Sequence, residues 1–165
     1  MSRFNPRDFT WEGVPPGAYR PPDAGVKTPA WQGVTRHTLV GRRGEPTAFH
    51  LRYFQIQPGG YSNLEKHRHA HAVVILRGCG RALVGEEIYQ VAPYDFVFVP
   101  PLVPHQFIND GEEPFGFLCP VDAERDPPQP VAPGEATRAG RAFDKRKSPL
   151  YNRTGKRRRT TEGEP

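Results

Sequence analysis

Residues 88–111 read IYQVAPYDFVFVPPLVPHQFINDG. Three short apolar runs, at 88–91, 96–99 and 106–108, are separated by Pro93, Pro100-Pro101 and Pro104 and closed by Asn109-Asp110-Gly111. Runs this short, rich in Val, Ile, Phe and Tyr and stopped by proline and glycine, are strands. The same texture extends outward on both sides. The run 35–40 stops at Gly41, 48–56 at Pro58-Gly59-Gly60, 72–76 at Arg77-Gly78 and 82–84 at Gly85-Glu86, while 115–121 closes the series. The runs recur at about 8 to 12 residues, and none carries a long 3.6-residue apolar period. Residues 33–122 are therefore expected to form one all-β sandwich or barrel, with no internal repeat to suggest a second.

The flanks differ. Twelve of the 20 prolines and seven of the 17 glycines lie outside the strand-rich region. Residues 1–32, with Pro6, Pro15, Pro16, Pro21, Pro22 and Pro29, read as an extended arm. Phe4, Phe9, Trp11 and Trp31 are its anchors, on its own barrel or on a second subunit. Residues 123–165 are polar and rich in proline and like charge, so a disordered basic tail is expected. The net charge of +5 belongs to that tail: from Arg138 onward ten Lys or Arg face three Asp or Glu, and the rest of the chain is slightly acidic. A nucleic-acid-binding face on the domain has no support, and only KRRR at 156–159 offers a basic cluster.

Cys79 and Cys119 are too few and too far apart for a disulfide framework or a zinc site. Both lie in strand-like runs, where buried free thiols are common, and a reducing compartment fits. The first residues, MSRFNPRDFTWEG, contain no apolar signal core, and no run approaches the ~18 apolar residues of a membrane span. A cytoplasmic protein is expected.

The chemistry concentrates at Glu65-Lys66-His67-Arg68-His69-Ala70-His71. In an extended chain alternate residues share a face, so Glu65, His67, His69 and His71 would point one way. Four ionisable groups on one face are costly to bury without a partner, and a divalent metal is a good one for imidazole and carboxylate. An exposed strand face or a pH-sensitive histidine patch would account for the same spacing. His105 follows the last proline turn.

These two segments resemble the motifs of the cupin superfamily, small single-domain members in particular. Gly60 opens the first motif and Gly78 closes it; seven residues before Gly78 stands His71, where most cupins have Glu. The family's histidine pair then falls on Glu65 and His67, and Glu65 departs from the usual pattern. The second motif is Gly85, Pro93-Tyr94-Asp95, Val99-Pro100-Pro101 and Pro104-His105-Gln106-Phe107, with Asn109 four residues after the histidine; Tyr94 replaces the usual Gly. The resemblance covers about 85 residues and neither end. It implies a double-stranded β-helix, or jelly roll, and one divalent metal ion per chain on Glu65, His67, His71 and His105, with His69 as the alternative to Glu65. Fe(II), Mn(II), Ni(II) and Zn(II) all suit such donors. Phe107, two residues after His105, together with Phe96, Phe98 and Arg52, are the candidate pocket residues.

The resemblance further implies a metal-dependent enzyme acting on a small molecule, dioxygenase-like first and an isomerase, decarboxylase or lyase second. A non-catalytic barrel that senses a small ligand is the alternative, and a homodimer packed through the arm is expected. No helix-turn-helix segment is visible that would favour transcriptional regulation. No catalytic residue is assigned, because the same barrel serves many reactions.

Overall fold

A computed structural model describes residues 1–20 and 30–131; the basic segment from 132 onward lies outside the described residues. All thirteen elements are strands: β1 (Phe4–Asn5), β2 (Thr10–Trp11), β3 (Gly17–Ala18), β4 (Gln32–Val40), β5 (Phe49–Tyr61), β6 (Glu65–Lys66), β7 (His71–Arg77), β8 (Gly80–Val84), β9 (Glu87–Val91), β10 (Phe96–Val99), β11 (His105–Ile108), β12 (Phe115–Asp122) and β13 (Gln129–Pro130). No helix occurs among the described residues, so none there is long and apolar enough to cross a membrane. The all-β fold expected from the strand texture is the one observed, in the jelly-roll form that the cupin resemblance implied.

The frame is a curled antiparallel sheet in the order β10-β7-β12-β5, extended by β4 and β3 beyond β5. β11 joins β8 and β9 in one direction and β6 and β13 in the other. β5 links the two halves. Its first part pairs with β12 and its last residue, Tyr61, with Ile108 of β11. The sequence suggested that this strand stops before Pro58; the chain instead remains extended to Tyr61. Gly59 adopts φ +76°, a left-handed conformation suited to glycine, and its N–H donates to the Asn109 carbonyl at 2.9 Å. Thus the Pro-Gly-Gly run bends a strand and does not end it.

Period-2 alternation sorts the side chains. On β7, His71, Val73 and Ile75 are buried within the barrel. Register places Arg52, Phe54 and Ile56 of β5 opposite Cys119, Phe117 and Phe115 of β12. Phe54, Ile56, Val73, Ile75, Val99, Phe107, Phe115 and Phe117 form the apolar core beneath the cavity. Each fully buried aromatic or branched side chain of this kind contributes about 1.5–3 kcal/mol.

The opposite face of β5 carries Tyr53, which is fully buried because the arm covers it. Phe9 stacks on Tyr53 at 5.4 Å and Trp11 packs on it at 5.0 Å. Tyr19 and Trp31 meet at 5.5 Å, and Tyr19 reaches Phe54 at 5.8 Å. The arm is therefore docked on its own barrel, and it delivers Tyr19 and Arg20 to the cavity rim. The C-terminal boundary also moves. Residues 123–131, assigned to the tail from composition, run back to the barrel, and β13 pairs with β6.

Candidate metal centre

A cavity of about 250 Å³ opens within the barrel. β11 brings His105 beside Glu65 of β6 in the same register pair, while His71 heads β7 opposite Val99 of β10. His67 and His69 lie between β6 and β7. The chain is not one extended strand there, as the alternation suggested: it bends at Arg68-His69. The bend brings the His67 and His69 rings parallel at 3.6 Å. It also leaves His67 at 4.5 Å from His71 and 4.8 Å from His105, centroid to centroid.

Two groups of donor atoms, each within 4.8 Å of one another, result: Glu65 with His67 and His105, and His67 with His69 and His71. The ring orientations are set from behind. The His67 Nδ1 lies 2.7 Å from the His69 carbonyl and the His105 Nδ1 lies 2.9 Å from the Val103 carbonyl. A carbonyl only accepts, so in both rings the proton sits on Nδ1 and Nε2 keeps its lone pair. The His71 Nδ1 lies 3.0 Å from Cys119 Sγ, and its Nε2 is 2.7 Å from the His67 Nε2. Burial pushes His67 and His71 below the usual imidazole range and takes His105 down to about 4. All three rings are neutral at pH 7, the form that binds metal.

Glu65 is held by Arg20, whose Nη2 donates to Oε1 at 2.8 Å. The same nitrogen is 2.6 Å from Oε2, so one guanidinium holds both carboxylate oxygens. Burial raises the Glu65 carboxyl above its usual range, opposed by the Arg20 charge. A carboxylate beside converging imidazole lone pairs fits a divalent metal by donor chemistry. His69 is tied differently. Its Nδ1 is 2.9 Å from Asp126 Oδ1, and the Asp126 carboxylate also accepts the N–H groups of Arg68 and His69.

Phe107 and Arg52 line the cavity. Phe96 and Phe98 do not: they sit on the outer face of β10, 62% and 53% exposed, while Val97 and Val99 point inward. A one-residue alternation decides this, and the Pro-rich flanks hid its phase. Cys79 is likewise exposed, where a buried thiol was expected, because it sits in the turn between β7 and β8. Cys119 is buried and faces the cavity. Sequence reasoning passed over Arg20, Arg125 and Asp126 because they come from the arm and from the supposed tail, and Arg36 because its strand, β4, carries neither motif. The proline-flanked ERDPPQP run gave no local sign of its role.

Fold and cavity together define a β-barrel with an internal imidazole–carboxylate cluster. The chain belongs to the cupin family: the family's cupin-domain model matches residues 52–121. A 1-methylthio-D-xylulose 5-phosphate methylsulfurylase from Rhodospirillum rubrum is 45% identical over 121 residues, 73% of this chain and 74% of that protein. The crystal structure of a cupin-2 domain protein from Rhodospirillum rubrum matches with TM-score 0.70 at 43% identity, covering 82% of this chain and 86% of that one. A cupin 2 conserved barrel domain protein from Rhodopseudomonas palustris matches with TM-score 0.73 at 38% identity, covering 86% and 92%.

Proposed function

We propose that this chain is a metal-dependent cupin enzyme acting on a small phosphorylated organic substrate, with the metal held by Glu65, His67, His71 and His105. The observation that carries this reading is the set of neutral imidazoles engaged through Nδ1, with the Glu65 carboxylate beside His67 and His105 and with His71 beside His67. A bound divalent metal would supply Lewis-acid polarisation of a substrate oxygen. Arg20 holds the Glu65 carboxylate in place, and the Phe54, Phe107 and Phe117 rings limit water in the cavity.

His69 is assigned as the group that moves a proton. Asp126 fixes its Nδ1 as the protonated nitrogen and leaves Nε2 free to accept, the arrangement of a carboxylate-oriented general base. The related methylsulfurylase supports a sulfur-substituted ketose phosphate as the first substrate to test. The dioxygenase-like reading that the resemblance implied, and the isomerase, decarboxylase or lyase reading after it, come second to that substrate.

The deciding experiment is metal content by mass spectrometry, with turnover of the thioether ketose phosphate, on wild type and single variants. Glu65→Ala and His105→Ala are expected to lose metal and activity together. His69→Gln is expected to keep near-stoichiometric metal and lose turnover by ~10²-fold or more. Loss of metal from His69→Gln with retention in Glu65→Ala would transfer the ligand role to His69. A wild type that takes up no Fe(II), Mn(II), Ni(II) or Zn(II) would leave the non-catalytic binding barrel as the account.

A homodimer is proposed on a separate observation. β10 ends the sheet order, and its outer face presents Phe96 and Phe98 beside exposed Tyr94 and Leu102. A second copy of the same strand would cover both the open edge and the aromatic pair.

A further inference from the structure

The cavity wall carries four arginines, Arg20, Arg36, Arg52 and Arg125, and two carboxylates, Glu65 and Asp126. Both carboxylates are already engaged: Glu65 by Arg20, and Asp126 by His69 and the backbone at 68–69. Arg36, Arg52 and Arg125 therefore face the cavity with no carboxylate partner among the described residues. They come from three separate places, β4, β5 and the segment after β12, and register brings them together. Arg36 stands opposite Phe54, two residues along β5 from Arg52, and Arg125 is held to His50 of the same strand at 3.1 Å.

Arg52 is the deepest of the three, 9% exposed. Its Nη2 donates to Cys119 Sγ at 3.6 Å, its guanidinium carbon lies 5.0 Å from the Phe54 ring centroid, and its buried Nε makes no hydrogen bond. Packing three cations against one another costs free energy unless an anion neutralises them. The strain shows at both neighbours: Arg36 and Arg125 are each lowered from the usual arginine range, first by burial and then by the charge of Arg52.

We propose that Arg36, Arg52 and Arg125 form an anion subsite that takes the phosphoryl group of the substrate. Guanidinium forks match a phosphoryl dianion geometrically, and three of them exceed what a single carboxylate needs. The subsite lies on the β5–β12 side of the cavity. Cys119 joins it to the histidines, with Sγ 3.6 Å from Arg52 and 3.0 Å from His71. A substrate anchored there by its phosphoryl group directs its other end toward His67, His69 and His105, and the anchor fixes which atom reacts. The phosphoryl class rests on the function proposed above, whereas the anion subsite rests on the arginines alone.

The probe is inorganic phosphate, titrated calorimetrically into the full chain, metal-free and Zn(II)-loaded, with xylulose as the uncharged control. Arg36→Gln and Arg125→Gln are the variants, because both positions are only half-buried and tolerate a neutral side chain better than Arg52. Phosphate is expected to bind the metal-free wild type and to weaken by ~10-fold or more in each variant. Metal content and melting temperature of the variants are expected to stay at wild-type values. Phosphate binding that appears only with metal, or that neither substitution weakens, overturns the subsite. Phosphate binding that depends on the arginines in a chain taking up no metal supports the subsite and sinks the enzyme reading, so the two fail separately.

Discussion

Asn109 shows how one residue holds the two halves of the barrel together. It is fully buried; its Nδ2 donates to the carbonyls of Ile56 and Glu113 at 2.8 Å each, and its Oδ1 accepts the Gly111 N–H at 3.0 Å. Asn109→Ala strands three backbone groups and is expected to lower stability by about 3 kcal/mol in urea unfolding, with the metal donors intact. At the histidines, acid acts through linkage. The His105 imidazole is held near 4 by burial, against about 6.5 in an unfolded chain. Between those values the unfolded state binds the extra proton, so stability of the metal-free chain is expected to fall as pH drops from 6.5 toward 4. The slope is about 1.4 kcal/mol per pH unit for His105 alone, and His67 and His71, shifted the same way, steepen it. A urea midpoint that does not change across that window would contradict the buried neutral cluster.

At the scale of elements, the segment 123–131 works as a strap. The Asp126 carboxylate holds two backbone N–H groups and a ring nitrogen of the 67–70 bend, and β13 adds a pair to β6. Asp126→Ala is expected to raise hydrogen exchange by ~10-fold or more at residues 67–71 and 123–131, leaving β5, β7 and β12 unchanged. Uniform exchange across the chain would show instead that the strap contributes nothing locally. The strands themselves were readable because Val, Ile and Phe runs broken by Pro and Gly have no helical alternative. The strap was unreadable, since the Asp126 carboxylate, the β13–β6 pair and Arg125 all meet partners far away in sequence, and proline-rich composition resembles that of a solvated tail.

The molecule is a cupin barrel covered on one face by its own arm and, among the described residues, bare on the outer face of β10. Sedimentation equilibrium is expected to give a dimer for wild type and a monomer for the double variant Phe96→Glu, Phe98→Glu, with metal content unchanged. A wild-type monomer would assign those rings to a different partner. The arm's role is internal, through aromatic contacts on Tyr53 of about 0.5–1.5 kcal/mol each beyond burial. A dimer packed through the arm would need surfaces that Phe9 and Trp11 have already spent on their own barrel.

The sequence by itself determined the fold family and the identity of the imidazole cluster, because strand period, proline punctuation and clustered histidines are local signals. Only the tertiary structure decided which face Phe96 and Phe98 occupy, how the 67–70 bend stacks His69 on His67, and which distant side chains complete the cavity. Arg20, Arg36, Arg52, Arg125 and Asp126 are separated along the chain by up to about a hundred residues. Strand register, with the arm and strap that cross it, sets them against one cavity, and a charge pattern of that kind exists only once the chain has closed on itself.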